Sequence, residues 1–476
     1  MPLVLKAVRL IMLALTALLV VGAAQATAAS RMPIGFFDDP TFRWSPDRAT
    51  NLQRAAEDGA SVIHTTATWA TIAPTKPANA ANGDDPAYHL NDLDELVEHA
   101  SLYGLRVMID INGTPKWANG GKSPNRMPNS MSTLTTFARM LADRYDGAHG
   151  HGYVGLYSVW NEPNLGLFLE PQFTVTKATK SKKASFKIVG PANYAKLYKA
   201  AYAGIKAGNH LAQVAVGETS ARGRDKPLKG VSDSIAPGTF AKYLAKVKGL
   251  KFDAWAHHPY PTTPSMKPLQ KVRYPNVTLS TLPTFEKDLK TWFHRAVPIW
   301  ITEYGHETKP AEKHGVSYST QSAYARQALS TARKDPNIQM FIWFVFRDST
   351  GNPWQSGLEQ PSGAPKPAYA GFGALARLID GATLTVKQGA RPLVPVYLPV
   401  MSYYDPPGTP IGMTYKITNG SRTVTVLQPI LPLRADGSVG IPLGFQAART
   451  KTYTITVDAN DSGGHMETSS TTVQVL

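Results

Sequence analysis

Between Ile34 and Leu378 one pattern recurs: a short run of apolar or β-branched residues, a polar loop, then a segment whose apolar positions fall three and four apart. The runs are IGFFDD from Ile34, SVIHTTATWATIAP from Ser61, LRVMIDINGTPKWA from Leu105 and VGLYSVWNEP from Val154. They continue with AQVAVGETS from Ala212, FDAWAHHPY from Phe252, PIWITEYG from Pro298 and QMFIWFVFRDS from Gln339. Each predicts a strand, and each is followed by a helical segment. The first helix opens near Ser45-Pro46, where Ser can cap and Pro suits the first turn. The second carries Leu93, Leu96, Val97 and Ala100 on one face and ends at Gly104; the third carries Leu134, Phe137, Ala138 and Leu141. The remaining helices are expected over 193–208, near Phe240 to Val247, Thr281 to Arg295, Ser319 to Arg333 and Pro365 to Leu378.

Strands that alternate with helices imply an α/β fold with a parallel sheet under a helical cover. Eight such units in series fit a closed (β/α)8 TIM barrel better than an open doubly wound sheet. The glycine fingerprint of a dinucleotide-binding fold is missing after the first strand. Past Gly381 a proline-rich stretch gives way to MTYKITNG, RTVTVLQP and TYTITVDAND, which alternate with period two between Gly, Asn and Asp turns. Tyr453, Ile455 and Val457 share one face there, so a small all-β, Ig-like sandwich is expected. The domain expectation is a signal peptide over 1–28, the barrel over 29–380 and the sandwich over 381–476.

The signal reading rests on a basic flank (Lys6, Arg9), an apolar run from Leu10 to Gly22 and the small-residue site Ala26-Thr27-Ala28. That run is shorter than the ~20 residues a spanning helix needs, and no later segment is apolar enough to span. A secreted or wall-associated protein is expected, with no stable membrane span after cleavage. The chain has no cysteine, so disulfides and thiolate metal sites are excluded. Its net charge of +16 loses two, Lys6 and Arg9, on cleavage to +14. Such a basic excess suits an anionic partner, but no recognition helix, zinc spacing or phosphate loop accompanies it, so nucleic acid is not the expected one.

In a (β/α)8 barrel the loops after the strands form the active face, and polar residues at strand ends converge there. Glu162, in Asn161-Glu162-Pro163, ends the fourth strand, and Glu303, in WITEYG, ends the seventh. Two carboxylates across one mouth suit glycoside cleavage, with retention at a separation of about 5 to 5.5 Å and inversion at roughly 6.5 to 9.5 Å. Glu218, in VGETS, lacks the flanking Asn and Pro and is expected to support the pair from behind.

With these motifs in place, Pro33 to about Leu378 resembles the retaining (β/α)8 glycoside hydrolases of clan A, close to their cellulase-like and family 39-like members. The resemblance implies Glu162 as general acid/base, Glu303 as nucleophile and Asn161 as the amide that bonds the sugar 2-hydroxyl. It also implies His258 and Tyr260 at the end of strand six, with the Tyr hydroxyl holding the nucleophile ionised, and Trp343 as the floor of the sugar site. Trp117 and Trp69 stand where the clan keeps wall aromatics. The adjacent His257 is read as structural. Many clan members carry an Arg where this chain has His64, so a positive charge near Glu303 is expected to depend on pH.

Three loops after strands four to six are rich in cations: Lys177, Lys180, Lys182, Lys183 and Lys187; Arg222, Arg224, Lys226 and Lys229; Lys267, Lys271 and Arg273. They would present either a basic rim to an acidic glycan or a merely solvated insertion. The expected function is a secreted retaining glycoside hydrolase, endo-acting on a polysaccharide or oligosaccharide by a two-glutamate double displacement. A transglycosylase of the same mechanism and a non-cleaving wall-glycan-binding barrel stay open. A monomer is expected, with no cofactor and no metal site; the acidic stretch DANDSGG reads as a turn.

Overall fold

The structure, a computed structural model, describes residues 32–179, 183–350, 354–376 and, with breaks, 393–475. The expected signal peptide, the expected domain boundary at Gly381, and Lys180 and Lys182 lie outside the described residues.

Eight parallel strands close into a barrel in chain order: β1 (Ile34–Phe37), β2 (Val62–Thr68), β3 (Arg106–Asn112), β4 (Leu156–Val159), β5 (Gln213–Ser220), β6 (Ala254–His258), β7 (Ile299–Ile301) and β8 (Ile338–Phe344). β1 closes the ring by pairing with β8, Gly35 beside Ile342 and Phe37 beside Phe344. The strands read as nearly unbroken apolar runs because both faces are covered. Outward-facing residues such as Val107, Ile109, Val214, Val216, Phe341 and Trp343 pack under the helices. Inward-facing Val62, Met108, Leu156, Ala215, Ala254, Trp300 and Ile342 fill the lumen. Gly35 has no room for a side chain, since a Cβ there would meet the Val62 carbonyl oxygen at 1.7 Å.

The helices occur where the periodicity places them, including Asn91–Leu102, Met131–Arg144, Gly190–Gly208, Pro237–Leu244, Leu282–Phe293, Tyr318–Lys334 and Pro367–Ala376. The first long helix begins later than expected, at Arg48, because Ser45 accepts the Asp47 N–H in the lead-in turn instead of capping the helix. A hairpin of Phe173–Thr176 against Ser185–Ile188 rises from the loop after β4, where no strand was expected. Beyond the barrel the chain is antiparallel β. Its largest sheet runs Arg422–Leu427, Pro410–Asn419, Lys451–Asn460, Met466–Val475, and Ile430–Pro432 pairs with the second of these. Tyr453, Ile455 and Val457 are buried there with Ile411, Met413, Tyr415 and Ile417, the one-sided burial that the alternation implied. Among the described residues no helix is long and apolar enough to cross a membrane.

Candidate active site

Pleating alternates residues between lumen and helical shell. Counting upward by twos from the apolar lumen positions leads to His64 on β2, Asp110 on β3, Ser158 on β4, His258 on β6 and Phe344 on β8, all at the C-terminal end of the barrel. The loop ends then add Asn161 and Glu162 after β4, Tyr260 after β6 and Glu303 after β7.

The backbone around these residues is bent hard. Trp160 (φ 73°), Glu162 (φ 40°) and Glu218 (φ 45°) are all left-handed without being glycine, a conformation that costs of the order of 1 kcal/mol or more each. The two glutamates are tied together: the Glu162 N–H donates to the Glu218 carbonyl at 3.0 Å. Pro163 cannot continue the strand. Asn164, fully buried, then clamps the two strand ends, accepting from Ser220 N–H at 2.8 Å and donating to the Ile235 carbonyl at 2.9 Å.

His258 is the hub. Its Nδ1 lies 3.1 Å from Glu162 Oε1 and 3.6 Å from Glu303 Oε2, and its Nε2 lies 3.8 Å from Glu218 Oε1. The Tyr260 hydroxyl donates to Glu303 Oε2 at 3.0 Å, and its ring stacks on Tyr304 and Trp354. Asn161 Oδ1 is buried and bonds no protein donor. The expected members Glu162, Glu303, Asn161, His258 and Tyr260 therefore meet at one mouth. His257 faces the other way, with both ring nitrogens engaged, by Thr219 Oγ1 at 2.9 Å and the Val277 carbonyl at 3.0 Å.

The charges follow from burial and proximity. Burial pushes the Glu303 carboxyl up to about 7; His258 and the Tyr260 hydroxyl oppose that rise, and the charges of Glu162 and Glu218 add to it. This direction is opposite to the expectation that Glu303 is held ionised. Burial alone would lower His258, but the carboxylates of Glu303, Glu162 and Glu218 hold it well above the usual histidine range.

Three expectations need correction. His64 does not supply a cation near neutral pH: burial pushes it down to about 4, its Nδ1 donates to the Thr302 carbonyl at 3.2 Å, and its Nε2 faces Glu218 Oε1 at 3.4 Å beneath the site. Trp343 is no sugar floor, since pleat parity turns it outward, where it is fully buried against Tyr304 and Phe372 and donates to the Ser356 carbonyl at 2.8 Å. Trp69 is likewise core, stacked on Phe137. Trp117 is half-buried, packs edge-on against Trp69 and donates to the Ala73 carbonyl. The aromatics at the mouth are instead Phe344, beside Phe37 and Trp354, and Trp354 itself, 41% exposed. The parity of Met340 and Ile342 was the sequence signal for Phe344. Among the described residues no group of three His, Asp or Glu side chains is arranged to hold a metal ion.

A family model described as cellulase (glycosyl hydrolase family 5) matches residues 27–348. Solved structures of similar fold include a family 39 glycoside hydrolase from the gut symbiont Bacteroides cellulosilyticus WH2, at 16% identity over 88% of this chain and 82% of that one, TM-score 0.53. A glucosidase from Croceicoccus marinus aligns at 10% identity over 93% and 97%, TM-score 0.54. A GH5_18 protein from Streptomyces cattleya, in complex with Manb1-4GlcNAc, aligns at 16% identity over 73% and 80%, TM-score 0.51. At such identities the likeness is one of fold. No curated protein matches the sequence.

Proposed function

The chain belongs to the cellulase family, glycosyl hydrolase family 5, and is thus a glycoside hydrolase of clan A; from that premise we propose that it is a retaining enzyme in which Glu162 is the general acid/base and Glu303 the nucleophile. The observation that carries this reading is the approach of both carboxylates to one ring nitrogen, at 3.1 and 3.6 Å. A separation of about 5 to 5.5 Å meets that geometry easily, whereas the roughly 6.5 to 9.5 Å that admits an inverting water strains it.

In this mechanism Glu162 gives its proton to the leaving oxygen while Glu303 attacks the anomeric carbon; Glu162 then takes a proton from the water that releases the sugar. Burial and the neighbouring Glu162 charge hold the Glu303 carboxyl up, so Glu303 must ionise before it attacks. His258 anchors both carboxylates, Tyr260 steadies the nucleophile, and Asn161, next to Glu162 in the chain, is the residue we assign to a sugar hydroxyl. Phe344 and Trp354 form the aromatic wall.

The substrate we assign is an acidic polysaccharide outside the cell, cleaved within the chain. Lys177, Lys183, Lys187, Arg222, Arg224, Lys226, Lys229, Lys267, Lys271 and Arg273 are all exposed on the loops after β4 to β6, on the face where the two glutamates stand, and their field favours a polyanion. A panel of neutral and anionic polysaccharides, with the first-formed anomer read by proton NMR, tests both claims. Retention, loss of activity in Glu303→Ala, and salt-sensitive preference for the anionic members are expected. An inverted product, or a Glu303→Ala variant near wild type, would overturn the mechanism, and salt-independent turnover of neutral polymers would overturn the substrate class.

A further inference from the structure

Glu218 is out of step with its own strand. Ala215 faces the lumen, so regular pleating would put Gly217 inward and turn Glu218 out under the helices. Instead the register with β6 shifts between Gly217 and Thr219, a bulge with Gly217 at φ +102° and Glu218 at φ 45°. Only glycine fits at 217, where a Cβ would come within 2.6 Å of Trp255. The effect of this strain is to swing a carboxylate into the barrel, where it is 1% exposed. Neither of its oxygens makes a hydrogen bond to protein, and they face the Nε2 atoms of His64 at 3.4 Å and His258 at 3.8 Å. A buried carboxylate is expensive unless a cation stands beside it, and a strained bulge that creates one marks a use for the charge.

The use is legible at His258. Both of its ring nitrogens point at carboxylates, Nδ1 at Glu162 and Glu303 and Nε2 at Glu218. A neutral imidazole would aim a lone pair at one of them; the imidazolium has a proton for each side. On the hydrolase reading above, we infer that Glu218 is a positioning residue. Its carboxylate, standing behind His258, keeps that ring doubly protonated, so that an N–H is always offered to the Glu162–Glu303 pair. The neighbouring groups agree. His64 on β2 is held neutral, Asp110 on β3 is pushed well above its usual range by burial and by the Glu218 charge, and Tyr260 beyond His258 is likewise held protonated. Burial works to raise Glu218, but with His64 neutral it is His258 that outweighs it and leaves the carboxyl below the usual glutamate range.

The test reads ring protonation and needs no turnover. In full-length protein labelled with 15N-histidine, one ring should remain imidazolium through pH 7.5, and His258→Gln should remove that signal and so assign it. In Glu218→Gln its titration midpoint should fall by about one unit or more, a tenfold loss of proton affinity. A neutral His258 at pH 7 in the wild type, or a midpoint unmoved in Glu218→Gln, overturns the inference. If the Gln variant does not fold, Glu218→Asp, which draws the charge back by one methylene, takes its place. A lowered midpoint then supports the role and an unchanged one overturns it. Failure of the hydrolase reading would show separately, on the polysaccharide panel.

Discussion

The lower and upper halves of the barrel lumen are built by the same strands and obey opposite rules. Low in the barrel, Val62, Met108, Leu156, Ala215, Ala254 and Ile342 form an apolar layer in which no group has a charge to lose. Higher on the same strands stand His64, Asp110, Ser158 and His258, joined by Glu218 and capped by Glu162 and Glu303. The difference shows where the fold tolerates cost. The lower layer holds the barrel closed by dispersion and burial, and the upper layer spends part of that stability on strained backbone and buried charge.

The sharpest way to break this contrast is to move a charge down one pleat. Leu156→Asp places a bare carboxylate in the apolar layer and should destabilise the protein by ~4 kcal/mol or more, read as loss of the cooperative melting transition. A variant that melts within a few degrees of the wild type would mean the lower lumen is not the dry layer described.

A smaller effect is expected at the upper layer's edge. Tyr260→Phe removes the hydroxyl that bonds Glu303 at 3.0 Å, a contact to a charged group worth ~1.5–3 kcal/mol, so kcat/KM should fall by roughly ten- to a hundredfold. That hydroxyl holds Glu303 down. With the carboxyl at about 7, the nucleophile is lost as pH falls through 7, and in Tyr260→Phe this acid limb should move to higher pH. An acid limb that stays in place would separate Tyr260 from the nucleophile.

The smallest expected effect near neutral pH concerns the neighbouring histidines, which divide the inner world from the outer. His257 faces the helical shell, and burial pushes it down to about 3. Its folded pKa lies below the ~6.5 of an unfolded histidine, so the unfolded chain binds the extra proton. The stability it contributes is complete above pH 6.5 and is lost as pH falls from there toward 3. Against His257→Gln, the wild type should lose about 1.4 kcal/mol per pH unit below 6.5, read from denaturant melts. A difference that is flat from pH 8 to 4 would contradict the neutral, satisfied His257.

The layered contrast also explains what could be read from sequence. The eight strand-helix units were legible because each helix carries its apolar face at regular spacing, and the two strand-end glutamates were legible because Asn161-Glu162-Pro163 and Thr302-Glu303-Tyr304 each follow an apolar run. Trp343 misled because residue type was weighed above parity: Met340 and Ile342 face inward, so the next inward residue is Phe344. The placement of Glu218 was not legible, since a bulge reverses parity without changing composition. Nor was the neutrality of His64, which follows from burial and from the charge of His258, far away in the chain; together these outweigh its bond to the Thr302 carbonyl. The hairpin after β4 was hidden by its lysines, which read as loop, while Phe173 and Phe186 pack edge to face across it.

The central claim is that Glu303 forms a covalent bond to the sugar while Glu162 does not. The direct measurement is incubation of the full chain with a panel of 2-deoxy-2-fluoro glycosides bearing a good leaving group, followed by peptide mapping by mass spectrometry. The account predicts a single fluoroglycosyl adduct on the peptide that contains Glu303, absent from Glu303→Gln and still formed in Glu162→Ala. An adduct on Glu162, or hydrolysis of the same sugars' ordinary glycosides with no adduct from their fluorinated forms, would contradict it.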